Sequence, residues 1–262
     1  MLGSSVRAGT DANHMKTIKR RQLKQDEVTE TLQQVYARLE RNSRAVMIAG
    51  AALIVIALAW AGWRYYQGQQ NAKAATLLAQ ALTVSEAQVV APTEPLPGQP
   101  PPPPPPAGSY PSEHAKLEAA LPKFLAAADA YPSTQPGLAA RYHAAATLAE
   151  LGQIADARTQ YARLADLDAG GIYGRMAKLA TAELDVQARQ YDAAISTLRD
   201  LSLDTKGDLP VDAVLVQLGR AYAAAGKTAE ARQTFQRVTT EFATSPYAED
   251  AKKQLDALKT TS

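Results

Sequence analysis

The chain has 262 residues, of which 46% are hydrophobic, 21% charged and 6% aromatic, with 53 alanines, three histidines and no cysteine. The lack of cysteine excludes disulfides, C-x-x-C redox pairs, thiolate metal sites and covalent haem attachment. The formal net charge of +2 averages over segments of opposite sign. Because alanine is the strongest helix former and a small apolar side chain, its abundance predicts an all-α protein with closely packed helices.

The N-terminal region divides into two predicted segments. Residues 1–25 lack hydrophobic periodicity and are expected to form a flexible basic leader, in which translation starts either at Met1 or at Met15. Residues 26–44 are predicted to form a cytoplasmic amphipathic helix, because apolar residues follow the 4, 3, 4 spacing of a helix seam. These residues are Val28, Leu32, Val35 and Leu39. The helix either pairs with a second copy or a partner, or lies on the membrane surface.

An uncharged run of nineteen residues covers positions 45–63. As a helix it would span roughly 30 Å, the thickness of the hydrocarbon core of a bilayer. It has no polar stripe, unlike a buried soluble helix, and its long upstream segment is unlike a signal peptide. The run predicts one transmembrane helix. Together with the preceding amphipathic helix, as residues 26–63, it could also form a contact between copies of the chain. Its expected anchors are Ala45, Trp60, Trp63, Arg64, Tyr65 and Tyr66.

The charge distribution predicts the orientation of this helix. Residues 1–44 have a net charge of +4, whereas residues 112–262 have a net charge of −2. Basic residues are enriched on the cytoplasmic flank of a membrane span, so the N-terminus should be cytoplasmic. The basic cluster Lys19–Arg21 is explained by topology and by anionic lipid. The large domain lacks the basic face that nucleic-acid binding requires, so membrane lipid and other proteins are the expected partners.

The helical pattern continues over residues 64–90 and then stops at a proline-rich segment, residues 91–111. Eleven of the sixteen prolines lie here, seven of them consecutive at positions 100–106. Such a run favours an extended polyproline II conformation, because each proline fixes φ and lacks an N–H. The segment is either a docking site for a proline-binding module or a linker or insertion loop.

A 37-residue repeat runs through residues 112–262. A small residue is followed four positions later by a larger one, which predicts close approach of two helices with the gap filled by the larger side chain. These packing positions are Ala157, Tyr161, Ala194, Leu198, Ala231 and Phe235. Tight turns are predicted at the same interval, at Gly152, Arg189 and Gly226. Each unit is therefore expected to be a helical hairpin.

One further step of 37 residues upstream reaches Ala120 and Phe124. A fourth copy of the second helix is therefore expected at about residues 112–130. The proline-rich segment displaces its first helix, and residues 63–90 are the natural candidate for that role. In this arrangement residues 91–111 would be an insertion within one hairpin.

The last hairpin resembles the tetratricopeptide repeat (TPR), with its signature at Leu218, Gly219, Tyr222, Gly226, Ala231 and Phe235. The hairpin beginning at Leu138 matches less well. The middle hairpin departs further, because Asp185 stands where the TPR signature has a large apolar residue and Arg189 where it has glycine. Its first helix is therefore the one that the signature supports least. The resemblance implies an α-solenoid of three to four hairpins.

The order of segments from about residue 16 resembles the bacterial ancillary Sec translocon subunit of the YfgM type. This resemblance implies a single-pass protein of the bacterial inner membrane with a periplasmic TPR domain. It further implies a non-enzymatic accessory role that links the translocon to periplasmic chaperones or emerging clients. A structural or assembly subunit of another inner-membrane complex, held through residues 26–66, is the alternative.

No nucleophile, phosphate-binding, metal or dinucleotide motif occurs in the sequence, so no enzyme activity, cofactor or metal is expected. His143 is interpreted as a structural histidine within a helix. In the TPR register, the first helices of the hairpins would expose a groove for partner proteins. The candidate groove residues are Tyr142, Glu150, Met176, Leu179, Glu183, Val216 and Arg220.

These groove positions are mostly apolar, which favours an apolar segment or an amphipathic helix as the ligand. An acidic chain end would need several basic groove residues, and only Arg220 qualifies. Alternatively, the same side chains pack against the following hairpin.

Overall fold

A computed structural model describes residues 43–92, 105–204 and 207–260. The predicted leader, residues 26–42 of the predicted amphipathic helix and residues 93–104 of the proline-rich segment lie outside these ranges. The described residues form an all-α structure, as predicted. Its helices are α1 (Ser43–Ser85), α2 (Glu113–Ala130), α3 (Gln135–Glu150), α4 (Ile154–Leu167), α5 (Ile172–Gln187), α6 (Tyr191–Leu203), α7 (Val211–Ala224), α8 (Thr228–Glu241) and α9 (Ala248–Thr260).

The chain divides into two units, residues 1–66 and residues 67–262, and the boundary falls within α1. In the first unit, the described part of α1 exposes its large apolar side chains. Among the described residues, α1 is the one helix whose length and composition suit a membrane crossing.

In the second unit, the C-terminal part of α1 packs against α2 and α3. Ala74 and Ala81, seven residues apart, are fully buried. Ala81 belongs to the same apolar cluster as Phe124 of α2 and Ala144 of α3, with Leu78 packed against it. Leu78 and Ala81 thus lie on the face of α1 that packs against α2 and α3.

The two ends of the proline-rich segment are hydrogen-bonded to each other. The Tyr110 N–H donates to the Gln88 carbonyl at 2.9 Å, and the Val90 N–H donates to the Tyr110 carbonyl at 2.9 Å. The chain therefore leaves and re-enters the domain at one place.

From α2 onward each helix contacts the next one in sequence, as in a series of hairpins. The first helices α3, α5 and α7 end at residues 150, 187 and 224, and the second helices α4, α6 and α8 begin at residues 154, 191 and 228. The turn between them is the same in all three hairpins. In each, a residue with positive φ follows the first helix, namely Gly152 (77°), Arg189 (60°) and Gly226 (74°).

Backbone hydrogen bonds identify each turn as a Schellman cap. After α3, the Gln153 N–H donates to the Leu148 carbonyl at 2.8 Å, and the Gly152 N–H donates to the Ala149 carbonyl at 3.0 Å. Equivalent pairs follow α5 and α7. The 37-residue recurrence of these positions therefore reflects one repeated turn geometry.

The residues of the repeat lie between the helices of each hairpin. Ala157, Ala194 and Ala231 are fully buried, and Tyr161, Leu198 and Phe235 are at most 4% exposed. In the third hairpin the aromatic ring requires a glycine opposite, because a Cβ atom on Gly219 would lie 2.6 Å from the Phe235 ring. The equivalent residue of the middle hairpin is Ala182, which is buried in the same core as the smaller Leu198.

The first helix of the middle hairpin, the least secure by its sequence, is complete as α5 (Ile172–Gln187). Asp185 is buried there, and its carboxylate accepts a hydrogen bond from Arg158 of α4 at 2.5 Å. An ion pair with the preceding hairpin therefore replaces the apolar contact that the TPR signature has at this position.

A fully buried arginine joins α2, α3 and α4. The Arg141 side chain is fully buried and donates to the Asp129 carboxylate at 2.7 Å, to the Ala128 carbonyl at 3.0 Å and to the Gln160 side chain at 2.6 Å. Since a buried charge is costly unless it is paired and hydrogen-bonded, this network restricts how the first hairpin can pack.

Candidate partner-binding groove

The first helices of consecutive hairpins lie side by side, because α5 contacts both α3 and α7. Their exposed faces form a groove, hereafter the first-helix groove. The hydrogen-bonded caps and the alanine contacts of each hairpin set the spacing of these helices. Within one helix, side chains seven or eight residues apart lie on the same face and can face the same groove.

The predicted groove residues differ in their exposure. Glu150, Glu183 and Arg220 are exposed, and Tyr142, Met176 and Leu179 are partly exposed. Val216 is only 3% exposed and belongs to a core cluster that also includes Ala251 and Leu255 of α9. At Val216 the side chain thus packs against the following helix, which is the alternative stated for these positions, and it is not available to a partner.

Three groove residues, Tyr142, Glu150 and Glu183, and the buried Tyr161 lie close enough to influence one another electrostatically. The Tyr142 and Tyr161 rings lie 5.8 Å apart between centroids. Burial raises the pKa of the Tyr142 hydroxyl, and the charge of Glu183 raises it further. Burial likewise raises the pKa of Tyr161, with smaller contributions from Tyr142, Glu183 and Glu150.

Glu183 combines an accessible side chain with a partly desolvated carboxylate. Desolvation raises the pKa of this carboxyl group, and the positive charge of Arg220 partly opposes the shift. Arg220 donates a hydrogen bond to Asp250 of α9 at 2.8 Å. Nothing in the sequence pattern pointed to Asp250, because the two residues meet only through the stacking of α9 beside α7.

A pocket of about 330 Å³ opens beside Glu183 and Arg220, between α5 and α7. Its other lining residues are Val186, Gln187, Leu198, Gln217 and Ala221. Leu198, assigned from the sequence to repeat packing, therefore also forms part of the pocket wall. The pocket has the size of a site for one large side chain or a small ligand.

The predicted anchor residues Trp60, Trp63, Tyr65 and Tyr66 are all more than half exposed on α1. The guanidinium carbon of Arg64 lies 5.6 Å from the centroid of the Trp60 ring, which is a cation–π geometry. Ala45 lies within the first turn of the same helix. Aromatic rings and a basic side chain thus cluster at one end of the apolar stretch, as at a membrane interface.

His143 packs in an aromatic contact in the first hairpin. Its ring is stacked on Phe124, with 5.2 Å between centroids and 17° between planes, and it meets Tyr142 edge-on. Burial lowers the pKa of His143, and the charge of Glu86 partly opposes this effect. In the described ranges, no three His, Asp or Glu side chains converge as a metal site would require.

The model of a tetratricopeptide repeat-like domain matches residues 38–260. The chain therefore belongs to this family of helical repeat domains. A search of curated proteins gives no match. Two crystal structures of nearly identical TPR-like repeats, described as a putative kinesin light chain of Podosopora anserina, are similar to this chain. One is the parent and the other a variant with one substitution. Each shows 16% identity and a TM-score of 0.48, and the match covers 55% of this chain and 78% of theirs.

Proposed function

We propose that the protein is a non-enzymatic, membrane-anchored interaction protein whose repeat domain binds other proteins through the first-helix groove. The observation that carries this proposal is the groove itself, an exposed surface with a pocket on a TPR-like domain. Repeat domains of this kind present extended surfaces to protein ligands. The exposed apolar part of α1, with its terminal aromatic belt, supports anchoring in a bilayer.

The more specific proposal is an accessory subunit at the Sec translocon that links it to periplasmic chaperones or emerging clients. It is supported by the resemblance in segment order and by the excess of basic residues before α1. In this arrangement the N-terminus is cytoplasmic and the repeat domain lies in the periplasm of the bacterial inner membrane.

The natural chain lacks cysteine, so its topology can be tested with single-cysteine variants. We expect the exposed Ser196→Cys of α6 to react with a membrane-impermeant maleimide in intact spheroplasts. Ser5→Cys should react only after permeabilisation. Labelling of Ser5→Cys alone in intact spheroplasts would contradict the proposed orientation.

Partner identity is tested by placing a photo-crosslinking amino acid at Met176 in the groove and purifying crosslinked complexes from membranes. Recovery of translocon subunits or periplasmic chaperones is the expected result. The matched control carries the same crosslinker at Glu118, on α2. If Met176 crosslinks to other proteins but to no Sec component, the translocon assignment fails and the groove assignment stands.

A structural or assembly subunit of another inner-membrane complex is the alternative, with residues 26–66 as the assembly element. It is supported by the exposed apolar side chains of α1 within residues 47–66. In that case a chain that lacks residues 112–262 should still enter the complex on native gels. Failure of the truncated chain to enter would exclude this alternative.

A further inference from the structure

The pocket between α5 and α7 combines an apolar wall with a charged rim. Val186, Leu198 and Ala221 supply apolar surface, and Glu183 and Arg220 lie at the same pocket. A volume of about 330 Å³ accommodates one large apolar side chain of a partner. The rim then determines which charges can lie next to that side chain.

The charges at this rim are unequal. Arg220 is hydrogen-bonded to Asp250 at 2.8 Å, so its single positive charge faces two carboxylates, those of Asp250 and Glu183. Within residues 43–92, 105–204 and 207–260, neither Glu183 nor Glu150 takes part in an ion pair. Tyr142, whose ring is partly exposed, lies within the electrostatic range of Glu183 and offers a ring face to a cation. The groove therefore has unbalanced negative charge beside an apolar pocket.

We infer that the first-helix groove selects a segment of a partner protein that carries a lysine or arginine next to a large apolar side chain. The cation pairs with Glu183, and the apolar side chain occupies the pocket above Leu198. This inference rests on the proposed function, in which the groove binds proteins, and it assigns the chemistry of the bound segment. A partner with an acidic segment would place a second negative charge beside Glu183 and would be rejected.

The test is selection of random twelve-residue peptides displayed on phage against the intact chain in lipid nanodiscs. A parallel selection uses Gln217→Trp, which fills the pocket from its lining, and Gln187→Trp is the second blocked variant if the first one fails to fold. Peptides that bind the natural chain but not the blocked variant are sequenced. We expect lysine and arginine to be enriched in this set, beside a large apolar residue.

The outcomes separate this inference from the proposed function. Enrichment of acidic or uncharged apolar peptides would overturn the inference and leave groove binding intact. The absence of any peptide that depends on the open pocket would contradict both. A selection with Glu183→Lys should reverse the preference toward Asp and Glu, and an unchanged preference would show that Glu183 does not read the charge.

Affinity measurements on one selected peptide give the size of the effect. Glu183→Gln should weaken binding about fivefold, the usual range for a partly exposed ion pair. Changing the basic residue of the peptide to glutamine should cause a similar loss of affinity. The Glu183→Gln variant and the natural chain should then bind this altered peptide with equal affinity. The matched control Glu118→Gln removes the same charge from α2, outside the pocket, and should leave the affinity unchanged. Equal losses for both protein variants would overturn the inference.

Discussion

The hairpin of α7 and α8 matches the TPR signature from Leu218 to Phe235, whereas the hairpin of α5 and α6 has Asp185 and Arg189 at two signature positions. Both nevertheless form two helices joined by the same Schellman cap. At the position of Asp185 the third hairpin has Tyr222. Its hydroxyl accepts a hydrogen bond from Arg199 at 2.9 Å, and the Asp185 carboxylate accepts one from Arg158.

In both hairpins the arginine comes from the second helix of the preceding hairpin. The polar side chain at this position is thus satisfied by the neighbouring repeat. The comparison shows that a repeat can lose part of its signature if the stacked neighbour supplies the missing interaction. Stability at these positions belongs to the interface between repeats, as expected of a solenoid.

The largest expected effect comes from removing the partner of Asp185. Arg158→Ala should destabilise the domain by about 3 kcal/mol, because it leaves a carboxylate buried without its ion pair. Urea unfolding of the chain in mild detergent, followed by circular dichroism, measures the change. Arg158→Ala/Asp185→Leu should recover most of the stability, because an apolar contact replaces the pair.

The control for this prediction is Arg163→Ala on the same helix. Arg163 is exposed and lies 3.3 Å from Asp129, so its loss should cost at most about 1 kcal/mol. Equal destabilisation by the two arginine substitutions would mean that the buried pair does not support the middle hairpin.

The second prediction concerns the small residue opposite the large one. Gly219→Ala in the third hairpin should cost about 2 kcal/mol, because the new methyl group overlaps the Phe235 ring. Adding Phe235→Leu should recover part of this loss, since it recreates the combination of Ala182 and Leu198 in the middle hairpin. Unfolding midpoints of the three variants provide the measurement. A neutral Gly219→Ala would show that the ring can move aside.

The third prediction exchanges the turn residues of the two hairpins. Arg189→Gly should stabilise the middle hairpin by about 1 kcal/mol, because glycine adopts a positive φ without a steric penalty. Gly226→Ala should destabilise the third hairpin by a similar amount. Thermal unfolding of both variants tests the pair, and destabilisation by Arg189→Gly would indicate a role for the arginine side chain in the fold.

The smallest effect extends the comparison to the first hairpin, which contains His143. Burial lowers the pKa of this histidine below its ordinary value of about 6.5, so the unfolded chain binds the proton more readily. The contribution to stability is therefore fully present above about pH 6.5. It decreases as the pH falls through that value toward the lower pKa of the folded state.

Unfolding midpoints between pH 5 and pH 8 measure this dependence. His143→Gln should flatten it, whereas the exposed His114→Gln should leave it unchanged. A slope that persists in His143→Gln would assign the pH dependence to other groups.

Much of this architecture was predictable because its signals are local. Helical periodicity, the 37-residue spacing of Ala157, Ala194 and Ala231, and the glycines at two of the turns all reflect contacts within a single hairpin. The all-α repeat fold therefore follows from short-range patterns.

The groove was less predictable. Glu150, Glu183 and Arg220 are exposed on first helices, but Val216 is buried in the core shared with α9. The TPR register assigns a face to each residue but does not say which neighbour covers that face. The pairing of Arg220 with Asp250 is equally invisible in the register, because it joins residues 30 positions apart on stacked helices.

The sequence by itself determined the helical class of the described chain, the period of its hairpins and the uncharged run within α1. These features depend on local propensity and on side chains one or two helical turns apart. Only the tertiary structure decided that Asp185 forms an ion pair with Arg158, that Val216 is buried and that Gln88 and Tyr110, at the two ends of the proline-rich segment, are hydrogen-bonded to each other. Each of these outcomes depends on contacts between elements distant in sequence, where packing and desolvation select the partner.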